Sequence, residues 1–234
     1  GSFRTVYSDI LGKYNNREGI VIDTRFNGGG RLHEDIEVLF SGQKYLTQVI
    51  RGREACDMPS RRWNKPSIMV QCEANYSNAH GTPWVYKHRQ MGKLVGAPVP
   101  GTMTSVNWVR MQDPDLIYGI PVIGYRLPDG SYLENKELEP DVYVLNAPET
   151  VVKGEDTQLK AAVDELLKEL DAKEISAEIS GRIAFRIYPK VPVDSQGVSR
   201  LFFLSHGFIS RGDFHLLPVL LWQYSSTSGE VLQS

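Results

Sequence analysis

The stretch GIVIDTRFNGGGRLHEDIEVLF, Gly19 to Phe40, constrains this chain more than any other. Its continuous apolar run has strand length and needs apolar cover on both faces, the situation of a strand inside a parallel sheet. Three consecutive glycines, Gly28 to Gly30, follow and open onto a helical segment from about Leu32 to Phe40. Bare backbone between the carboxyl end of a strand and a helix start is suited to receive an anion. A second segment repeats the plan. SIMVQCEANYSNAHGTPWVYKHRQM runs from a buried strand through a short polar turn to Ser77 at the mouth of a helix. In an α/β sheet two such loops lie along one edge, the usual place for a site.

Each loop also has a plainer reading. A dinucleotide fingerprint needs glycine at its first, third and sixth positions, and here Gly28 and Gly30 are followed by His33. A phosphate-binding P-loop needs Lys-Ser/Thr after its last glycine, where Arg31-Leu32 stands. Glycines that only permit a tight turn remain the simple alternative. Ser77 can likewise be an N-cap and nothing more. The functional reading is a nucleophile at the sheet's carboxyl edge, with helix and glycine-loop N–H groups around the same oxyanion. Two such loops together are more specific than either alone.

Elsewhere the pattern alternates. SFRTVYSDILGKY has helical spacing. KYLTQVI, SIMVQC, KLVG, SVNWVRM and LIYGIPVIGYRL have strand character, with the polar GREACDMPSRRWNKP expected as a connection. PDG at 128–130 is a turn in which proline presets one dihedral and glycine accepts a positive one. DTQLKAAVDELLKELDAKE carries Leu159, Ala162, Val163, Leu166, Leu167 and Leu170 on one helical face. Alternating strands and helices to about residue 172 predict an α/β layered domain. Beyond it, GRIAFRIYPKV, SRLFFLSHGFI and FHLLPVLLWQY read as strands without helices. Residues 173–234 are therefore expected to form a β-rich appendage outside the main sheet.

Composition narrows the partners. The 234 residues suit one large domain or one domain with a small appendage. With 26 basic and 28 acidic residues, electrostatics do not suggest a nucleic-acid partner. Cys56 and Cys72 form no C-x-x-C pair and no metal-ligand spacing, which argues against a disulfide framework. The longest apolar run, LLPVLLW, is too short for a membrane span. Gly1-Ser2 reads as a cloning scar, so the lack of a visible targeting segment carries little weight.

These motifs resemble the tricorn-type and C-terminal processing serine peptidases. IVIDTRFNGGG is similar to the family's strand-and-triple-glycine motif, MVQCEANYSNAHG to its nucleophile segment, and GKLVGAPVPGTMT to the strand and turn that follow. LPDGSYLENKELEPDVYV resembles the late acidic motif, and EDTQLKAAVDELLKEL the closing helix. The motifs occur in family order over roughly residues 3–171. The resemblance implies a crotonase-like α/β core over residues 3–172 that cleaves peptides or unfolded polypeptides through an acyl-enzyme. It implies Ser77 as nucleophile, with Asn78 N–H and an N–H of Gly28 or Gly29 as oxyanion hole, and Glu134 supporting the base. No cofactor is implied, a homo-oligomer is, and an extracytoplasmic location is favoured slightly over a cytoplasmic one.

The base is where the chain departs from the pattern. Processing peptidases use a lysine at the position Thr102 occupies here, which rules against a lysine dyad. The tricorn branch uses a histidine from an upstream segment that, with an intervening PDZ-type domain, has no counterpart in this sequence, so the chain is expected to begin after them. His80, three residues beyond Ser77 and near its helical face, is the local candidate base. His33 and His88 are expected as surface or packing residues. Without a base the competing reading is a catalytically silent fragment or peptide-binding module. A crotonase-like acyl-thioester enzyme shares the oxyanion logic, but no binding site for a nucleotide-bearing thioester is marked.

Overall fold

In the computed structural model, residues 2–184, 201–203, 208–210 and 213–215 are described. Helix α1 (Ser2–Ser8) runs into a π turn at Asp9–Lys13, then strand β1 (Gly19–Asp23) leads to α2 (His33–Phe40). A hairpin of β2 (Leu46–Ile50) and β3 (Arg53–Met58) precedes β4 (Ser67–Gln71) and α3 (Asn78–His88). Strand β5 (Lys93–Gly96), the hairpin β6 (Ser105–Arg110) and β7 (Ile117–Ile123), and β8 (Val142–Tyr143) follow. The described chain closes with α4 (Pro148–Val151), α5 (Thr157–Ala184), and the short strands β9 (Leu201–Phe203), β10 (Phe208–Ser210) and β11 (Asp213–His215). Among the described residues no helix is long and apolar enough to cross a membrane.

The central sheet has the order β8-β5-β4-β1-β9 and all its pairs are parallel. Alternation along each strand divides its side chains between two cores. Ile20, Ile22, Met69 and Leu94 pack with Ile10, Leu39, Phe40, Trp63 and Tyr86 on the face of α1, α2 and α3. Val21, Ile68, Val70 and Val95 pack with Ala162, Val163, Leu166 and Leu170 of α5 on the other. Double-sided cover explains why β1 and β4 read as continuous apolar runs. Helix α3 is tied down where Tyr86, 1% exposed, places its hydroxyl 2.7 Å from Ser67 Oγ.

Three expectations change. The polar stretch after residue 50 contains β3, which pairs with β2 across a two-residue turn of Arg51 and Gly52, both at positive φ. This hairpin is exposed, so its ladder needs no apolar run and periodicity does not announce it. Residues 181–184, expected in a strand, continue α5. The tail does not stay out of the sheet: Leu201–Phe203 pairs parallel with β1, where it satisfies a strand edge that would otherwise present unpaired N–H and C=O groups. The rest of the expected tail strands, apart from the β10–β11 pair, lies outside the described residues.

The loop after β1 is anchored by charge. Arg25 forms ion pairs of 2.7 Å with both Asp23 and Asp156, and its side chain is 9% exposed. Asp156 also accepts the Leu159 N–H at the start of α5 and an amide hydrogen of Asn146. Burial pushes the Asp156 carboxyl up, but its bonds to Arg25, Leu159 and Asn146 outweigh this and hold it below its ordinary value. Its stabilising contribution is therefore present above the unfolded-state value and is lost as pH falls below about 4. Arg25→Ala is expected to cost about 3 kcal/mol in urea unfolding, because it leaves the largely buried Asp23 unpaired. Asp156→Asn should flatten the acid limb of the stability profile, measured by the same titration between pH 2 and 6, a range set by ordinary carboxylate values.

Candidate active site

The two motif loops leave neighbouring strands at one edge, with Asp23 opposite Val70. They are then zipped together. Thr24 N–H donates to the Val70 carbonyl at 2.9 Å, Phe26 N–H to Cys72 Sγ at 3.3 Å, and Tyr76 N–H to the Asn27 carbonyl at 3.0 Å. At the tightest point Gly29 has φ +103°, and a Cβ there would lie 2.8 Å from Ser77 Cβ, 2.9 Å from the Tyr76 carbonyl oxygen and 3.0 Å from Asn78 N. The middle glycine is thus required both by its backbone and by the approach of the serine loop. Gly28 faces open space.

Ser77 holds φ 54° and ψ −123°, a conformation rare for a residue with a side chain. Such strain costs of order 1–3 kcal/mol and persists only where its surroundings impose it. Although Ser77 occupies the N-cap position of α3, its hydroxyl makes no capping bond, so the plain N-cap reading does not hold. Its own N–H donates to Thr102 Oγ1 at 3.1 Å. Thr102, singled out in the sequence only for not being lysine, therefore helps fix the strained turn.

Asn78, 6% exposed, is clamped from α2. Its Oδ1 accepts the His33 N–H at 3.2 Å, and its Nδ2 donates to His33 Nδ1 at 2.6 Å, which leaves Nε2 as the protonated nitrogen of the neutral ring. Sequence spacing treated His33 as surface or packing, since no period relates residues 33 and 78; only the β1–β4 register brings them together. Of the expected oxyanion donors, Gly29 N–H is already donated to Asn27 Oδ1 at 2.7 Å. Gly29 contributes space rather than a free N–H, which leaves Asn78 N–H and Gly28 N–H as donor candidates.

Glu134 arrives from a separate loop and is half-buried. Its Oε2 accepts the Thr104 N–H at 2.7 Å, and Asn135 N–H donates to the Gly101 carbonyl, so the segments bearing Glu134 and Thr102 are joined. His80 is fully buried, and neither ring nitrogen has a hydrogen-bond partner. Burial pushes its pKa below the ordinary value, opposed by the nearby Glu134 carboxylate and Lys136 backbone, which lie close without reaching hydrogen-bonding geometry. The structure therefore does not join His80 to the Ser77 hydroxyl as a base. The His80 side chain, on the first turn of α3, is directed into the core. His88 stacks on Trp84 with ring centroids 4.6 Å apart, a packing role as expected.

The model of peptidase family S41 matches residues 1–144, more than half of the chain. The chain belongs to peptidase family S41. Within it the similarity is to the tricorn type. A tricorn-like relative from Sulfurisphaera tokodaii is 28% identical over 175 residues, 73% of this chain and 20% of its own length. The tricorn protease of Thermoplasma acidophilum is 24% identical over 163 residues, 65% of this chain and 14% of that one. The crystal structure of the tricorn protease superposes with a TM-score of 0.57 at 26% identity, covering 66% of this chain and 15% of that chain. The S41 chain thus spans about a fifth or less of the length of these relatives.

The contact at Gly29 can be tested against its neighbour. Gly29→Ala is expected to destabilise the S41 chain by about 1–3 kcal/mol, since it adds both a clash and an unfavourable φ. Gly28→Ala, with open space around its Cα, is expected to stay close to wild type. Thermal unfolding of the two variants side by side checks the difference.

Proposed function

We propose that this chain carries the nucleophile and oxyanion hole of a serine peptidase acting on peptides or unfolded polypeptides. The observation that carries this reading is a strained serine, free of any capping bond, packed against Gly29 beside the Asn78 N–H. Ser77 Oγ attacks the substrate carbonyl carbon and gives its proton to a base. The oxyanion is received by the N–H groups of Asn78 and Gly28. Collapse of the tetrahedral species expels the amine, which takes up the proton, and leaves an acyl-enzyme that water then hydrolyses. Glu134 supports the base in this scheme, and residues 3–172 are the catalytic core, with crotonase-like layering around the parallel sheet.

A second reading has its own support. His33 Nδ1 is engaged by Asn78, His80 is sealed in the core, and His88 is stacked on Trp84. No hydrogen bond joins any of these three to the Ser77 hydroxyl, which favours a catalytically silent, peptide-binding role for this chain by itself. General-base help typically contributes 10²–10⁴-fold, roughly 3–5 kcal/mol of barrier. The chain alone is therefore expected to react slowly with a fluorophosphonate probe, and Ser77→Ala should remove the signal while His80→Ala leaves it unchanged. Added imidazole, as an external base, should accelerate labelling of Ser77 only. Fast labelling lost equally in Ser77→Ala and His80→Ala would make His80 the base and overturn this account.

A further inference from the structure

The junction of the two loops displays two large side chains that do nothing for the core. Phe26 is 67% exposed and Tyr76 is 50% exposed. Phe26 also has φ 58°, a left-handed backbone that is unusual for a bulky residue without local polar compensation. An aromatic ring held in water on a strained backbone is a loss for folding on both counts, and such costs concentrate at binding sites. Neither residue is loosely attached. Phe26 follows the buried Arg25 and donates its N–H to Cys72 Sγ, while Tyr76 N–H is bonded to the carbonyl of Asn27, the residue after Phe26. One backbone hydrogen bond thus couples Phe26-Asn27 to Tyr76-Ser77, so both aromatic residues are fixed relative to the nucleophile.

We propose that Phe26 and Tyr76 form an apolar platform for the acyl part of the substrate, selecting polypeptide with an aromatic or branched aliphatic residue just before the scissile bond. The inference rests on Ser77 being the nucleophile. The acyl part is the half of the substrate that becomes bonded to Ser77 and stays through both steps, so its first side chains are the ones that meet residues flanking the serine. Rigid aromatic rings bind such side chains at low cost in conformational entropy. Folded proteins bury these residues, so the platform also favours unfolded chain.

Short peptidyl boronic acids test this without needing a base on the protein, because boron itself accepts the serine oxygen while the hydroxyl proton passes to solvent. The probes carry Phe, Leu, Ala, Lys or Asp next to boron, and their affinities for the full chain are measured by competition against a fluorescent boronate. The Phe and Leu probes are expected to bind at least tenfold more tightly than the Ala and Asp probes. Phe26→Asn keeps a residue tolerant of positive φ and removes the ring; Tyr76→Ala removes the other. Each should erase most of the preference, about fivefold to tenfold, with little change for the Ala probe. Trp108→Ala, an exposed aromatic on the β6–β7 hairpin, should change nothing. Adducts that need Ser77 but show no apolar preference, or a preference that survives both variants, overturn the platform and leave the peptidase reading intact. No Ser77 adduct with any probe overturns both.

Discussion

The guanidinium of Arg25 is the interaction on which the site's geometry rests. It is gripped by Asp23 at the end of β1 and by Asp156 at the foot of α5, two residues that the chain separates by most of the domain. The same fork reaches Gln158 Oε1 at 3.2 Å. A desolvated cation is costly unless its donors are met by acceptors in good geometry, and here the planar fork is met from two sides. Because Phe26 and the glycines follow directly, fixing Arg25 fixes where the glycine loop leaves the sheet. The serine turn is then packed against a loop whose exit from the sheet is held by these contacts.

Rigidity on the other side comes from β4. Gln71 is fully buried and its Nε2 donates to the carbonyls of Ala97 and Leu138, which binds the end of β4 to the segments after β5 and before β8. Asn75, 2% exposed, donates to Thr24 Oγ1 and to the Ala79 carbonyl, so it links the two loops beneath the serine. Buried amides with several partners specify one arrangement, because a shifted loop would strand them without acceptors. Strain at Ser77 is thereby imposed from three directions: Gly29, Asn75 and the Thr102 hydroxyl.

The sheet and its two loops were legible because their signals are local: apolar runs of strand length, a glycine triplet and a helical stripe in α5. The shared edge of Gly29 and Ser77 followed from topology alone, since adjacent parallel strands present their carboxyl ends together. What stayed hidden depends on tertiary contact. The clamp of His33 on Asn78 has no sequence period, and the engagement of Gly29 N–H by Asn27 depends on a local side-chain turn that a glycine count does not reveal. The β3 strand was masked by its exposure, and the pairing of Leu201–Phe203 with β1 crosses the whole domain. His80 shows the limit of helical spacing as a guide. Helical spacing places it near the serine's face, but spacing does not say which way the imidazole points.

The serine edge of the sheet carries several departures from local rules. Ser77 and Phe26 have positive φ, Phe26 and Tyr76 are exposed aromatics, and both nitrogens of His80 are unpartnered. An imidazole buried without partners stays neutral, since charging it would require hydration that the core does not offer. Its nearest charged neighbour, Glu134, spends one oxygen on the Thr104 N–H. A neutral ring beside that carboxylate keeps the interior of α3 from competing for the remaining charge. The carboxylate therefore has no ion-pair partner within α3. Ser77, Phe26 and Tyr76 thus combine strain and exposure on two loops that are bonded to each other, a cost to folding of the kind that concentrates at functional sites.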